Sequence, residues 1–245
     1  IDGIDNDNDG LIDNFLGWDF SENNNDPTEQ QGNHGTAVCG VAGATNNNNI
    51  GIASIGYHAK IVPFKCSPDN SPNSINKGYE SLIFAAEKQY DIINLSWGCK
   101  NCYSQSAQDF VNYAVLDQNM VVVSAAGNND EDLAFYPASY SNVLSVSSID
   151  TNLVKANNRT WNHNVDLVTY GKAVRSTYAN GGYGNAWGTS FSAPMVASAA
   201  SLVKHNFPSY DAVQIMEQLR VTTDSIYHVA GNANYIDKLG TGSLN

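Results

Sequence analysis

The sequence predicts an α/β domain with three layers, in which helices cover both faces of a mainly parallel central sheet. Short runs of apolar, often β-branched residues alternate along the chain with segments of helical periodicity. This alternation favours parallel strands that are joined by crossover helices. The chain has 245 residues, a length that one hydrophobic core supports. We therefore expect residues 1–245 to form a single domain.

Four short segments are the candidates for the strands of this sheet. Each is apolar almost throughout, as strands are when helices cover both faces. The segments are Ile61–Phe64, Ile92–Ser96, Met120–Ser124 and Val143–Ser147. Because ligands of such sheets bind at the carboxyl ends of the strands, we expect the functional residues to follow these segments.

Helical spacing of apolar residues fills the intervals between the strands. Ser74 and Ser104 stand where the N-caps of two of these helices belong. Two more helices are predicted in the last third of the chain, one beginning near Ser190 and one after Pro208. The first of them is rich in alanine and serine, which predicts a central helix that is closely packed on all sides.

The composition excludes two classes of function. The formal charge is −12 at pH 7, and the basic residues are scattered along the chain. Nucleic acid is therefore excluded as a partner, because phosphate binding needs a concentrated basic face. No apolar run approaches the ~20 residues that cross a bilayer, so we predict no membrane span.

The cysteines divide into one close pair and two isolated residues. Cys99 and Cys102 form C-K-N-C, a spacing compatible with a small disulfide, a redox pair or half of a zinc site. The chain has no second C-x-x-C and no nearby histidine, so we favour a disulfide in an oxidising compartment. Cys39 and Cys66 lie in apolar segments and are predicted to be buried thiols.

Three short motifs place reactive side chains at the ends of predicted elements. NHGT precedes a small apolar helix and puts the imidazole of His34 at a helix start. SAAGN follows a buried strand and puts the carboxamide of Asn128 at its carboxyl end, and GTSFSAP opens the central helix with Ser190. Each motif alone would be an ordinary turn or cap. Together they supply the hydroxyl, imidazole and amide donor that acyl transfer requires.

These motifs and their order resemble the subtilisin-like serine protease family, the subtilases. The matching pieces are NHGT, INLSWG, SAAGN, YPASYSNVLSVSS and GTSFSAPMVA. The resemblance implies that Ser190 is the nucleophile and that His34 is the general base and later the general acid. Asn128 would donate a hydrogen bond to the oxyanion. The implied activity is that of a serine endopeptidase that cleaves polypeptides through an acyl-enzyme.

The resemblance also implies which backbone segments hold the substrate. Two segments would flank the pocket for the primary side chain, and the substrate would pair with the first of them as an added strand. The first consists of Ser96, Trp97 and Gly98, and the second consists of Ala125, Ala126 and Gly127.

One residue of the family pattern is missing. The family carries a catalytic Asp in a D-[ST]-G motif at the end of a central strand, and no such motif lies between Ile1 and His34. Loss of a central strand would leave buried ladder groups unpaired, at a cost beyond the ~5–15 kcal/mol by which domains are stable. We therefore expect the strand to come from a cleaved N-terminal fragment, an unsequenced segment or a partner chain.

The missing Asp leaves an alternative function open. Without it, His34 lacks the carboxylate that fixes its tautomer and stabilises the imidazolium. The chain would then be a catalytically inactive subtilase-like domain that serves as a binding or structural component.

An acidic loop opens the sequence. Asp5, Asp7 and Asp9 alternate, Gly10 permits a sharp turn and Asp13 follows, an arrangement that gathers oxygen ligands around Ca²⁺. Leu11 would add a backbone carbonyl. A solvated acidic loop without a cation is the alternative. We predict structural calcium here and, with the disulfide, a secreted or lumenal protein.

Overall fold

Four parallel strands form the central sheet of the computed structural model, which describes residues 2–57 and 59–245. In chain order the strands are β1 (Trp18–Asp19), β2 (Phe64–Lys65), β3 (Ile92–Leu95), β4 (Cys99–Lys100), β5 (Val121–Ala125), β6 (Phe135–Tyr136), β7 (Leu144–Ile149), β8 (Leu167–Tyr170), β9 (Val174–Tyr178) and β10 (Gly182–Ala186). The central sheet has the order β3-β5-β7-β8, and each neighbouring pair is parallel. The predicted fold class is confirmed.

Helices surround this sheet. They are α1 (His34–Gly43), α2 (Gly78–Glu87), α3 (Gln105–Asn112), α4 (Thr189–Asn206) and α5 (Ala212–Val221). Short helical turns occupy Tyr113–Asp117, Ala179–Gly181 and Ala230–Tyr235. The side chains of β5 and β7 are buried along their whole length, so these strands lie at the centre of the core.

The helix α4 is the central helix that the sequence predicts. It contacts all four strands of the sheet as well as α1 and α5. Its small buried residues, such as Ala193 and Ala200, let these neighbours approach closely. Pro194 is the sixth residue of α4 and has no amide hydrogen to donate to the carbonyl of Ser190 four residues earlier. The Ser96 hydroxyl donates to that carbonyl instead, at 2.8 Å.

The N-cap predictions had opposite outcomes. Ser104 caps α3, and its side chain accepts a hydrogen bond from the amide of Ala107. The prediction for Ser74 is wrong, because α2 begins at Gly78. The amides of Asn76 and Lys77 bond instead to the carbonyl of Cys66, which holds this segment as a loop before the helix begins.

The strand predicted at Ile61–Phe64 is also wrong in its extent. The observed strand β2 begins only at Phe64 and pairs with β1 outside the central sheet. Pro63 has no amide hydrogen for a ladder, which explains why the strand starts after it. Ile61 and Val62 are 40% and 38% exposed.

A cleft separates β2 from β3. One edge of β3 pairs with β5, and among the described residues no strand pairs with its other edge. The cleft has a volume of about 2180 Å³, is lined by both strands and by Ser198 of α4, and extends to His34. The carboxamide oxygen of Asn94 in β3 is buried without a hydrogen-bond partner. The sheet is therefore interrupted between β2 and β3.

Within the described residues, no helix has the length and apolar character that crossing a bilayer requires.

Candidate active site

His34 is the first residue of α1, as its motif predicts. Its ring meets the ring of Phe191 edge to face, with the centroids 5.7 Å apart. Phe191 follows Ser190 directly in α4, so the imidazole lies beside the start of the central helix.

A carboxylate that the sequence reasoning missed holds the start of α1. One oxygen of Glu29 accepts from the amide of Gly35 at 2.9 Å. The other accepts from the amide of Thr36 at 2.9 Å and from its hydroxyl at 2.8 Å. The N-cap residue Asn33 makes no capping bond and instead accepts from the amide of Ala179. Glu29 thus satisfies the first-turn amides immediately after His34. Its negative charge also interacts favourably with the positive end of the helix dipole.

The surroundings of His34 change its acidity. The His34 residue is exposed to solvent, yet enough protein atoms surround the ring to disfavour the charged form and lower its pKa from the ordinary value of 6.5. The carboxylate of Glu29 acts in the opposite direction and more weakly. The imidazole is therefore neutral over a wider pH range than that of a free histidine.

Replacing Glu29 with glutamine tests this arrangement. We expect the pKa of His34 to fall further, because a negative charge that favours the imidazolium is removed. Loss of the cap should cost about 1 kcal/mol of stability and, by loosening the start of α1, about 10- to 100-fold in turnover. An NMR titration measures the pKa of His34, denaturant unfolding measures the loss of stability, and kcat measures the loss of turnover.

Glu87→Gln is the matched control, because it removes the same charge from an exposed position at the end of α2. It should change neither the His34 pKa nor turnover. A His34 pKa that rises in Glu29→Gln would contradict the electrostatic role of Glu29.

Ser190 is the second residue of α4 and only 9% exposed. Its hydroxyl donates to the carbonyl of Ser96 at 3.4 Å, while the Ser96 hydroxyl donates to the carbonyl of Ser190 at 2.8 Å. This reciprocal pair joins the end of β3 to the start of α4. Among the described residues, no hydrogen bond joins the Ser190 hydroxyl to the His34 ring.

Asn128 contacts Thr189, the residue that precedes Ser190. Its side-chain oxygen accepts from the amide of Thr189 at 3.0 Å and from the Thr189 hydroxyl at 3.3 Å. The same hydroxyl accepts from the amide of Gly127 at 3.1 Å. These bonds fix the orientation of the carboxamide and leave its NH₂ group as the donor to a ligand.

The two segments predicted to bind substrate, which we call the backbone edges, follow neighbouring strands on the same side of the sheet. Ser96, Trp97 and Gly98 follow β3, while Ala125 ends β5 and Ala126 and Gly127 follow it. Because β3 and β5 are parallel neighbours, both segments lie at the carboxyl edge, where Ser190 meets Ser96.

The acidic loop brings together part of the predicted calcium set. Ligand oxygens of Asp5, Asp7 and Asp9 lie within 4.8 Å of one another. Amides of Asp9 and Gly10 bond to the Asp5 carboxylate, and the bond from Gly10 contributes most to the lowered pKa of Asp5. Carboxylate oxygens keep a second lone pair for a cation, so this donor set fits Ca²⁺.

The other two predicted ligands are placed differently. The Asp13 carboxylate accepts from the amides of Asp2 and Gly3 at 3.0 and 2.8 Å and is not in the three-carboxylate group. The amide of Leu11 donates to the carboxylate of Asp9 at 2.8 Å. This bond fixes the backbone at Leu11, whose carbonyl the sequence predicts as a ligand.

The cysteines follow the sequence interpretation except for Cys39, which is less buried than predicted. Cys99 and Cys102 sit at disulfide distance, with their Cα atoms 5.9 Å apart. Cys66 is buried and Cys39 is half-buried. Burial raises the pKa of each of these two thiols to about 11, so both are protonated at neutral pH.

The fold and the site define a class of protein. These are α/β domains whose central helix carries a serine in its first turn, next to residues that contact an imidazole and a carboxamide. The model of the subtilase family matches residues 2–242. The chain belongs to the subtilase family.

Curated relatives and a solved structure agree with this assignment. The chain is 35% identical over 213 residues to the thermophilic serine proteinase of Bacillus sp. (strain AK1), covering 86% of this chain and 51% of that protein. It is 35% identical over 211 residues to thermitase of Thermoactinomyces vulgaris, covering 86% and 74% respectively. A protease structure from Pseudoalteromonas arctica PAMC 21717 superimposes with a TM-score of 0.76 at 28% identity, over 86% of this chain and 68% of that one. The chain thus spans about half the length of the Bacillus relative.

Proposed function

We propose that this chain is a serine endopeptidase domain, comprising residues 1–245, that cleaves polypeptides through an acyl-enzyme on Ser190. The observation that carries the proposal is the arrangement around the start of α4. Ser190 lies in its first turn, the His34 ring packs on the adjacent Phe191, and Thr189 orients the carboxamide of Asn128. The serine proteinase relatives support the same activity.

Each residue has a defined role in the proposed reaction. The substrate pairs with Ser96, Trp97 and Gly98 as an added strand. His34 takes the proton from the Ser190 hydroxyl as its oxygen attacks the scissile carbonyl, and the NH₂ group of Asn128 donates to the oxyanion that forms. His34 then protonates the leaving amine. Water, activated by the same imidazole, hydrolyses the ester and restores Ser190.

The cleft between β2 and β3 has room for the segment that would carry the carboxylate this reaction lacks. We propose that an extended segment from outside the present sequence inserts there, parallel to β3. Parallel strands end at the same edge of a sheet, so its last residue would arrive on the side of the active site, where His34 lines the cleft. A carboxylate at that position would orient the imidazole.

A catalytically inactive binding domain is the second candidate. The observation that favours it is the pairing of the Ser190 hydroxyl with the Ser96 carbonyl, because this bond keeps the nucleophile away from the imidazole. In that case the substrate edges would hold a peptide without cleaving it.

A fluorophosphonate probe separates the two candidates. It reacts only with a serine that is activated as a nucleophile. We expect an adduct at Ser190, located by peptide mass mapping, and no adduct in a heat-denatured sample. An unlabelled Ser190 in folded, calcium-loaded protein would support the inactive domain.

Asp5, Asp7 and Asp9 would hold one Ca²⁺ in our proposal. The cation would relieve the repulsion among three exposed or half-buried carboxylates and tie the loop together. Bound calcium is structural here and takes part in no chemical step.

Calcium should raise the midpoint of thermal unfolding. We expect an increase of about 5–10 °C at a free Ca²⁺ concentration about 100 times Kd, because the ion binds the folded chain preferentially. Asp7→Asn should remove most of this increase. Asp26→Asn, a nearby aspartate outside the group, should retain it. An equal calcium effect in wild type and Asp7→Asn, measured by calorimetry, would exclude this site.

We also propose that Cys99 and Cys102 form a disulfide and that the protein is secreted or lumenal. The separation of the two cysteines supports the bond, and disulfides persist in oxidising compartments.

A further inference from the structure

Phe135 stands between the two backbone edges of the candidate active site. It belongs to β6, which pairs with β4 immediately after Gly98, with Lys100 opposite Phe135. Its amide donates to the Ser139 hydroxyl at 3.1 Å, and its carbonyl accepts from the Ser139 amide at 2.8 Å. The amide and the carbonyl of Phe135 are therefore both fixed by hydrogen bonds to Ser139.

The ring of Phe135 contacts both edges at once. A Cβ added to Gly127 would lie 2.7 Å from its Cγ and 2.8 Å from its Cδ2. A Cβ added to Gly98 would lie 3.0 Å from its Cδ1 and still closer to its Cε1. Only glycine fits at these two positions while the ring occupies the space between them. The ring thus takes up the volume toward which a side chain from either edge would point.

We infer that Phe135 closes most of the primary specificity pocket, so that the enzyme accepts substrates with a small residue, glycine, alanine or serine, before the cleaved bond. This inference rests on the proposed function for the location of the pocket. A phenylalanine or leucine side chain entering between the edges would meet the ring, and close-packed interiors do not absorb such an overlap. A methyl group or a hydroxymethyl group needs far less room.

Two peptides that differ at one position test the inference. One carries alanine and the other phenylalanine before the cleaved bond, and both bind the Ser190→Ala variant of the full chain, so that no turnover is needed. We expect the alanine peptide to bind at least about 10-fold more tightly. In the Ser190→Ala, Phe135→Ala double variant this preference should shift by about 100-fold toward phenylalanine. Phe135→Leu, which keeps an apolar side chain, should shift it less.

Phe207→Ala is the matched control, because it removes an aromatic ring at the opposite end of α4. It should leave the ratio of the two affinities unchanged. Tighter binding of the phenylalanine peptide with Phe135 in place, or an unchanged ratio in both folded Phe135 variants, would overturn the inference. The affinities could also behave as expected while fluorophosphonate fails to label Ser190. That result would contradict the proposed hydrolysis but support the role of Phe135 in the pocket.

Discussion

With the aspartate-bearing segment proposed above in place, Ser190→Ala is expected to lower kcat for peptide hydrolysis by about six orders of magnitude, as loss of the nucleophile does in a subtilisin. Alanine has no hydroxyl to attack the substrate, so the acyl-enzyme ester on residue 190 cannot form. His34 and Asn128 then have no acylation or deacylation step to assist. Initial rates with a fluorogenic peptide, at saturating substrate, measure the loss. Substrate binding should persist, because the two backbone edges remain intact.

The matched control for this experiment is Ser201→Ala. Ser201 lies in the same helix, and its hydroxyl donates to the carbonyl of Ser198 rather than into the site. This variant should keep wild-type turnover. Residual activity of Ser190→Ala within tenfold of wild type would show that another group is the nucleophile.

The second large effect concerns the cleft between β2 and β3. We expect an apolar extended peptide of about six residues that ends in aspartate to bind there and to raise kcat by about 10⁴ over the same peptide ending in asparagine. The amide has the shape of the carboxylate but cannot stabilise the imidazolium. Rates with each peptide at saturation give the ratio.

The unfolding temperature reports whether the peptide inserts, independently of whether its last residue increases kcat. Both peptides should raise the unfolding temperature by similar amounts, because main-chain pairing with β3 does not depend on the last side chain. A third peptide with proline at its centre lacks a ladder donor and should stabilise less. If the first two peptides neither stabilise the protein nor alter turnover, the proposed strand insertion is wrong.

Periodicity predicted the fold where the local signal and the tertiary environment agree. The strand at Met120 is buried along its whole length, while the strand at Ile92 is half-buried beside the cleft. Each predicted segment matches a central strand within one residue. The hairpin of β9 and β10 was missed. Its exposed glycine-rich second strand, Gly182–Ala186, lacks the alternation that marks a strand. The false cap at Ser74 shows the same limit, since a distant carbonyl decides where α2 begins.

The candidate site divides in the same way. His34, Asn128 and Ser190 lie in short motifs at element ends, so the order of neighbouring residues suffices to single them out. Glu29 and Phe135 lie in no such motif, because each acts on residues that the fold brings to it from elsewhere in the chain. Their roles depend on distances across the folded chain, which only packing creates. The unpaired edge of β3 is likewise a property of the assembled sheet, since pairing requires two strands to meet.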